Sequence, residues 1–127
     1  GPYSYVRNNS FIEDNVEIGN FVEVKSSKIG SFTKSKHLSY LGDLVVENNA
    51  NLGAGFVSAN FYGTSKNKSK IEKDSFIGSN STLVSPLTVG KNTIIGAGSV
   101  VLRDVPEDTT VAGVPAKKID QEGEIDD

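Results

Sequence analysis

An aliphatic residue recurs at every sixth position through the second half of this 127-residue chain. The regular block consists of Ile71, Ile77, Leu83, Val89, Ile95 and Val101. An α-helix cannot place this series on one face, because about 3.6 residues per turn spread the positions around its axis. A chain that turns a corner every six residues can, with three short faces making one coil and the coils stacking as parallel ladders about 4.8 Å apart. The period therefore predicts an all-β protein, a parallel β-helix of hexapeptide repeats.

The repeat also occupies the first half of the chain, with slips of one residue. Ile12 and Ile18 begin it, Ile29 and Leu41 resume it after one slip, and Val46 follows a second slip. Glycines often come directly after the aliphatic positions, and we expect them to meet a tight or left-handed backbone at the corners. With about 18 residues per coil, residues 1–119 are expected to form one domain of about five to six coils.

Residues 59–70 interrupt the repeat and carry Lys66, Lys68 and Lys70. We expect a loop extruded from one coil. Loops of this length in compact domains often carry function, and a tolerated surface insertion is the other interpretation. From about residue 106 the coils are expected to end in a terminating arm, and the acidic residues 120–127 are expected to form a disordered tail.

Composition excludes several classes of function. The formal net charge of −3 argues against general nucleic-acid binding, which needs a basic face. No run of about 18 apolar residues is present, so we expect no membrane span. The chain has no cysteine, which excludes disulfides, thiolate catalysis and cysteine metal sites, and fits a cytoplasmic location. It also has no methionine, so we expect an excised piece of a longer protein, with Gly1-Pro2 either a protease scar or native.

His37 is the single histidine, and it lies in the run His37-Leu-Ser-Tyr-Leu-Gly-Asp43 between lysines and hydroxyl side chains. Its ordinary pKa of about 6.5 suits a general base near neutral pH. A buried structural histidine is the alternative interpretation. A lone histidine also excludes metal sites built from several imidazoles, so no metal is expected.

Two further sets of residues offer binding chemistry. Asn51-Leu-Gly-Ala-Gly55 and Asn60 supply amide and backbone donors of the kind that an oxyanion needs, although glycine corners and asparagine ladders are also ordinary features of β-helices. Arg7, Lys25 and Lys66 are candidate phosphate ligands, and isolated surface cations are as often only solvated.

With these residues in view, the chain resembles the C-terminal acetyltransferase domain of the bifunctional N-acetylglucosamine-1-phosphate uridyltransferase/glucosamine-1-phosphate acetyltransferase family. The match runs from about Gly1 to Val105. Its most specific stretches are Gly19-Asn-Phe-Val-Glu-Val-Lys25, His37-Leu-Ser-Tyr-Leu-Gly-Asp43, Asn51-Leu-Gly-Ala-Gly55 and Phe76-Ile-Gly-Ser79. The chain departs from the family at Asn60-Phe61-Tyr62-Gly63, where the family usually has Asn-Tyr-Asp-Gly.

The resemblance implies a left-handed parallel β-helix and a role for each matching position. His37 falls on the catalytic base. Substrate contacts fall on Arg7, Lys25, Tyr40, Asn51 and Lys66, and acetyl-CoA contacts fall on Ala54, Asn60, Phe61, Ser79 and Ala97. Family members are homotrimers with active sites between subunits, which suits a convex prism without a deep pocket of its own.

The resemblance thus implies N-acetylation of glucosamine 1-phosphate by acetyl-CoA in UDP-N-acetylglucosamine synthesis, with direct transfer and no metal. Two alternatives stay open. One is an N-acetyltransferase for another amino-sugar phosphate or a nucleotide sugar. The other is a non-catalytic trimeric β-helix scaffold, which would need neither a basic loop nor a lone polar histidine.

Overall fold

A computed structural model of the chain describes residues 2–62 and 65–119, with only the backbone described at 61, 62, 65 and 66. Among these residues the regular structure is β-strand, and no helix occurs. The strands are β1 (Tyr5–Val6), β2 (Phe11–Ile12), β3 (Glu17–Lys25), β4 (Lys28–Ile29), β5 (Lys34–Gly42), β6 (Leu44–Val46), β7 (Asn51–Leu52), β8 (Val57–Ala59), β9 (Phe61–Tyr62), β10 (Ser65–Lys66), β11 (Ser69–Ile71), β12 (Phe76–Ile77), β13 (Thr82–Val84), β14 (Thr88–Val89), β15 (Ile94–Ile95), β16 (Val100–Val101), β17 (Thr110–Ala112) and β18 (Lys117–Lys118).

These strands form three parallel ladders, which are the three faces of a solenoid. Face A contains β2, β4, β6, β11 and β14. Face B contains β7, β12, β15 and β17 with the first halves of β3 and β5. Face C contains β1, β8, β13 and β16 with the second halves of β3 and β5. The stack amounts to about six coils, which confirms the predicted parallel β-solenoid.

The register explains the slips in the repeat. Tyr5 pairs with Glu23, 18 residues on, whereas Glu23 pairs with Tyr40 and Tyr40 with Val57, each 17 residues on. The missing residue in each shorter coil is lost at edge CA, where faces C and A meet. The chain therefore keeps its inward positions in register by shortening one corner, and the faces are unaffected.

The core is the column of aliphatic residues inside each face. Each of them is at most 2% exposed: Val24, Ile29, Leu41, Val46, Leu52, Ile71, Ile77, Leu83, Val89, Ile95 and Val101. Ile12, in the first coil, is 38% exposed because it has a stacking neighbour on one side only. Burial of this ladder is the main stabilising term, because each coil is too thin to shield its own interior.

The corner glycines have a different cause from the one expected. At Gly53 and Gly78 the backbone is not left-handed; an added Cβ would lie 2.6 Å from the Ser79 nitrogen and 2.5 Å from the Ala97 nitrogen of the next coil. Close approach of two coils therefore excludes a side chain there. The left-handed conformation falls two residues later, on residues such as Asn80 (φ 59°) and Gly98 (φ 74°).

The interruption of the repeat is a β-hairpin. Val57 pairs with Thr82, 25 residues on, while Thr82 pairs with Val100 after only 18, so seven extra residues leave the coil. They include β9 and β10, which pair antiparallel. The insertion is narrower than the expected 59–70, because Ala59 ends β8 and Ser69 begins β11.

The coils also continue past the expected start of the terminating arm at residue 106. β17 pairs in parallel with β15 and buries Val111 to 6% exposure, since an inward aliphatic residue still has a neighbour to stack on. The chain reverses only at β18, which pairs antiparallel with β17. The predicted acidic tail lies outside the described residues.

A glycine replacement tests the close-approach explanation. Gly78→Ala is expected to destabilise the fold by about 1–3 kcal/mol, because its Cβ would overlap backbone that cannot rotate away. Gly98→Asn is the matched control, since the space there is open and Asn80 already occupies the equivalent left-handed position one coil earlier. Thermal unfolding followed by circular dichroism measures both. Equal losses for the two variants would contradict the explanation.

Candidate functional site on face C and edge BC

Edge BC, where faces B and C meet, carries one column of site residues. Asn20 pairs with His37 across neighbouring coils. The His37 carbonyl accepts from Gly55 N at 3.3 Å, the Ala54 carbonyl from Asn80 N at 2.7 Å, and the Ser79 carbonyl from Gly98 N at 2.8 Å. These bonds place the following residues on successive rungs of one edge: Asn20, His37, Ala54, Ser79 and Ala97. Coils stack about 4.8 Å apart, so an extended ligand along this edge would pass all of them.

His37 lies on the outside of the edge. Its residue is exposed, while its strand neighbours Ser35 and Ser39 point inward and are buried. The next residue, Leu38, has φ 45°, and this left-handed residue turns the strand from face B to face C. The histidine is therefore not a structural core residue, and its imidazole is accessible to a ligand.

The bulk of edge BC changes at His37. In the coils before it the left-handed positions hold Phe21 and Leu38, which are 59% and 66% exposed. In the coils after it the equivalent positions hold Gly55, Asn80 and Gly98. A channel with small side chains thus begins directly beside the imidazole and runs toward the C-terminal coils.

Face C presents two cations in neighbouring rungs. Val6 pairs with Val24, so Arg7 and Lys25 directly follow at the same edge of the ladder. The Arg7 guanidinium donates to Glu23 Oε2 at 3.1 Å and lies 5.8 Å from the centre of the Tyr5 ring. The hydrogen bond to Glu23 raises the pKa of Arg7 above its ordinary value, against a smaller lowering by burial. Arg7 therefore stays charged and is held in place before any ligand arrives.

Lys25 is more enclosed than Arg7. Its side chain is 12% exposed, and Nζ lies 3.7 Å from Oδ2 of Asp43, whose side chain is 6% exposed. Removing both charges from water is costly, and mutual attraction offsets that cost only in part. The pair fixes the position of the ammonium on face C.

Tyr40 lies across face C and meets Asn60. The Asn60 Nδ2 group donates to the Tyr40 hydroxyl at 3.2 Å and to Asp43 Oδ2 at 2.6 Å. Gly42 leaves the necessary room, because a Cβ there would come within 2.5 Å of Tyr40 Cζ and Asn60 Nδ2. Asn60 is 6% exposed with both amide hydrogens engaged. In this state it holds Tyr40 and Asp43 rather than presenting a free donor.

Asn51 does not join this group within one chain. It is exposed on face B, between Lys34 and Phe76 in the ladder. The side chains of Phe61 and Lys66 lie outside the described residues, so their predicted roles stay predictions. Sequence reasoning missed Glu23 and Asp43, although both lie inside the motif runs quoted above. An acid beside each predicted cation was the available signal.

Among the described residues no group of three or more histidine, cysteine or acidic side chains is placed to hold a metal ion. The same residues contain no helix long and apolar enough to cross a membrane.

The contrast between the enclosed and exposed ion pairs of the second coil can be measured. Lys25→Met is expected to destabilise the protein by about 2–3 kcal/mol, because it leaves the Asp43 carboxylate buried without its counter-charge. Lys28→Met is the control: Lys28 and Glu13 are 3.7 Å apart but 60% and 40% exposed, and such pairs contribute less than about 1 kcal/mol. Urea titrations of both variants give the difference, and a Lys28 effect as large as that of Lys25 would refute the argument.

Known proteins match both the sequence and the fold. The family described as "Bacterial transferase hexapeptide (six repeats)" matches residues 68–103. The bifunctional protein GlmU of Thermosipho africanus is 49% identical over 89% of this chain and 25% of its own length. GlmU of Aquifex aeolicus is 50% identical over 94% of this chain and 26% of its own length. The chain spans about a quarter of the length of these relatives.

Solved structures with lower identity share the fold. The acetyltransferase domain of PglB from Neisseria gonorrhoeae, in complex with acetyl coenzyme A, superposes with a TM-score of 0.84 at 22% identity, covering 93% of this chain and 55% of that chain. A GDP-perosamine N-acetyltransferase mutant from Caulobacter crescentus, in complex with CoA and GDP-perosamine, gives 0.82 at 24% identity over 94% and 55%. The sequence matches confirm the resemblance, and the chain belongs with the hexapeptide-repeat segment of the bifunctional GlmU proteins.

Proposed function

We propose that this chain is an acetyl-CoA-dependent N-acetyltransferase that acts on glucosamine 1-phosphate. The observation that carries the proposal is the exposed His37 in one column with Ala54, Ser79 and Ala97. The relatives are bifunctional GlmU proteins, and the solved neighbours include acetyltransferases in complex with acetyl coenzyme A or CoA. The product would serve UDP-N-acetylglucosamine synthesis in the cytoplasm.

His37 acts as general base. Its imidazole takes a proton from the C2 ammonium-derived amine as the nitrogen attacks the thioester carbonyl carbon of acetyl-CoA. The tetrahedral intermediate then collapses, the C–S bond breaks, and CoA leaves as a thiol after receiving the proton. General-base help of this kind contributes about 10²–10⁴ in rate. No covalent enzyme intermediate and no metal is needed.

The oxyanion of the tetrahedral intermediate requires a donor near His37. Of the two candidates from the sequence, the Ala54 backbone is favoured, because it occupies the rung next to His37. The Asn60 amide hydrogens are engaged by Tyr40 and Asp43, so Asn60 would have to release one of them to serve. The small residues of edge BC provide the path for the pantetheine arm beyond Ala54.

Arg7 and Lys25 bind the sugar phosphate from face C. They stand on neighbouring rungs and already have carboxylate partners, Glu23 and Asp43. A phosphate therefore joins two ordered cations at little entropic cost, and the contact fixes the approach of the amine to His37.

Asn51 supports a site shared between protomers. It lies on face B, whereas Tyr40, Lys25 and Arg7 lie on face C. One prism exposes both faces outward around a convex edge, so a second copy is needed to bring an Asn51 side chain against a ligand on face C. We therefore propose a homotrimer with inter-subunit active sites, the assembly that the family resemblance implies.

A different acceptor is the second candidate. Phe61 and Tyr62 replace the usual tyrosine and acid of the family loop, and one solved neighbour binds the nucleotide sugar GDP-perosamine. Assays of thiol release with glucosamine 1-phosphate, galactosamine 1-phosphate and amino nucleotide sugars separate the two. A trimer that neither binds acetyl-CoA nor acetylates any of these would instead be the non-catalytic scaffold.

The role of His37 has a direct test. His37→Ala is expected to lower turnover by about 10²–10⁴ while the protein remains folded, because the side chain is exposed and packs in no core. Asn20→Ala, one rung earlier on the same edge, is the control and is expected to keep parental turnover. Thiol release at saturating substrates measures both. Activity of the His37 variant within a few-fold of the parent removes the histidine from the mechanism.

Arg7→Ala tests the phosphate contact. It is expected to raise KM for glucosamine 1-phosphate by about tenfold or more, as loss of a charge-assisted contact does, and to leave KM for acetyl-CoA unchanged. Initial rates with each substrate varied in turn give the two constants. A parallel rise in KM for acetyl-CoA would mean that Arg7 does not contact the sugar phosphate alone.

A further inference from the structure

Asp43 is a buried carboxylate that connects three residues of the site. It sits at edge CA with φ 52° and 5% exposure. Oδ2 lies 2.6 Å from the amide nitrogen of Asn60 and 3.7 Å from Lys25 Nζ. Its backbone N–H donates to the Lys25 carbonyl at 3.0 Å, and its carbonyl accepts from Ser69 N at 3.1 Å. Three successive coils thus meet at one side chain.

The carboxylate decides which end of the Asn60 amide faces inward. An ionised carboxylate only accepts hydrogen bonds, so Asn60 must present its NH₂ group and not its carbonyl oxygen to Asp43. The second hydrogen of that NH₂ then reaches the Tyr40 hydroxyl, 3.2 Å away. A neutral partner in place of Asp43 would allow either orientation of the amide.

The orientation of Asn60 in turn fixes the polarity of Tyr40. A phenol oxygen that accepts a hydrogen bond from Asn60 has its own hydrogen free for another acceptor. Tyr40 is partly exposed on face C, where its ring lies over Gly42. Its O–H is therefore directed to the side of face C on which Arg7 and Lys25 stand.

We infer that Asp43 is a positioning residue: through Asn60 it makes the Tyr40 hydroxyl a hydrogen-bond donor toward an acceptor oxygen of the sugar phosphate. The inference rests on the proposed function for the identity of the ligand, and on the contacts alone for the orientation of Asn60 and Tyr40. A purely structural Asp43 would neutralise Lys25 and brace the hairpin without affecting Tyr40. The two roles differ in what happens when Tyr40 loses its hydroxyl.

Asp43→Asn is the discriminating variant. Asparagine has nearly the same shape and tolerates the left-handed backbone, but it can donate as well as accept. The chain provides a matched control at edge AB, where Asp74 (φ 60°) accepts from Asn49 Nδ2 at 2.9 Å in an exposed position. Asp74→Asn makes the same chemical change in the same kind of contact, away from face C.

The first readout is nuclear magnetic resonance of the ligand-free full chain. In the parent, the Asn60 side-chain amide protons are expected to be protected from exchange, and protection should fall by about tenfold in Asp43→Asn, as for loss of a hydrogen bond to a charged group. A ¹³Cζ-tyrosine label should report a shift change at Tyr40, identified by its absence in Tyr40→Phe. Asp74→Asn should change neither signal. Unprotected Asn60 protons in the parent, or signals unchanged by Asp43→Asn, overturn the inference.

The second readout is a double-mutant cycle in KM. Asp43→Asn should raise KM for the acceptor sugar phosphate by about tenfold in the parent and by less than about twofold in the Tyr40→Phe background, with kcat little changed. Asn60→Ala should show the same dependence on Tyr40, which keeps the test decisive if Asp43→Asn folds poorly. Equal effects in both backgrounds overturn the inference. A parent that acetylates no acceptor refutes the proposed function instead, and the magnetic resonance comparison still decides the orientation of Asn60 and Tyr40.

Discussion

Backbone hydrogen bonds between successive coils are the constraint on which the rest of this structure depends. Each rung donates to and accepts from the rungs beside it, so the backbone of one coil is satisfied only by its neighbours. This pairing sets a fixed rise of about 4.8 Å per coil and forces equivalent residues into columns. The buried aliphatic ladder stabilises the stack, and the outward columns inherit the same regular spacing. A site built from residues 17 or more positions apart follows directly from this repetition.

The two outward regions of the site differ in what they contribute. Edge BC has one accessible imidazole followed by small residues, an arrangement suited to a long thin ligand that must pass close to the backbone. Face C has paired charges, with Arg7 and Lys25 held by Glu23 and Asp43. Order in the second region comes from electrostatics within the face, whereas order in the first comes from the backbone alone.

Much of the fold was predictable because the period of six has few physical solutions. The inward positions, the coil number and the insertion all followed from it. The reason for the corner glycines did not, since only coordinates reveal that a Cβ at Gly78 would meet the next coil's backbone. The sixth coil was also missed, because Pro106 looked like an ending while Val111 still had Ile95 to pair with in the ladder.

The sequence by itself determined the three-sided solenoid and singled out His37 as the one imidazole, because periodicity and residue counts are properties of the linear chain. Only the tertiary structure decided that His37 is exposed at an edge, that it shares that edge with Ala54, Ser79 and Ala97, and that Asn51 faces elsewhere. It also decided that Asp43 joins Lys25, Asn60 and Tyr40. Those contacts link residues from different coils, and their distances depend on corner lengths and side-chain directions that no local pattern in the sequence encodes.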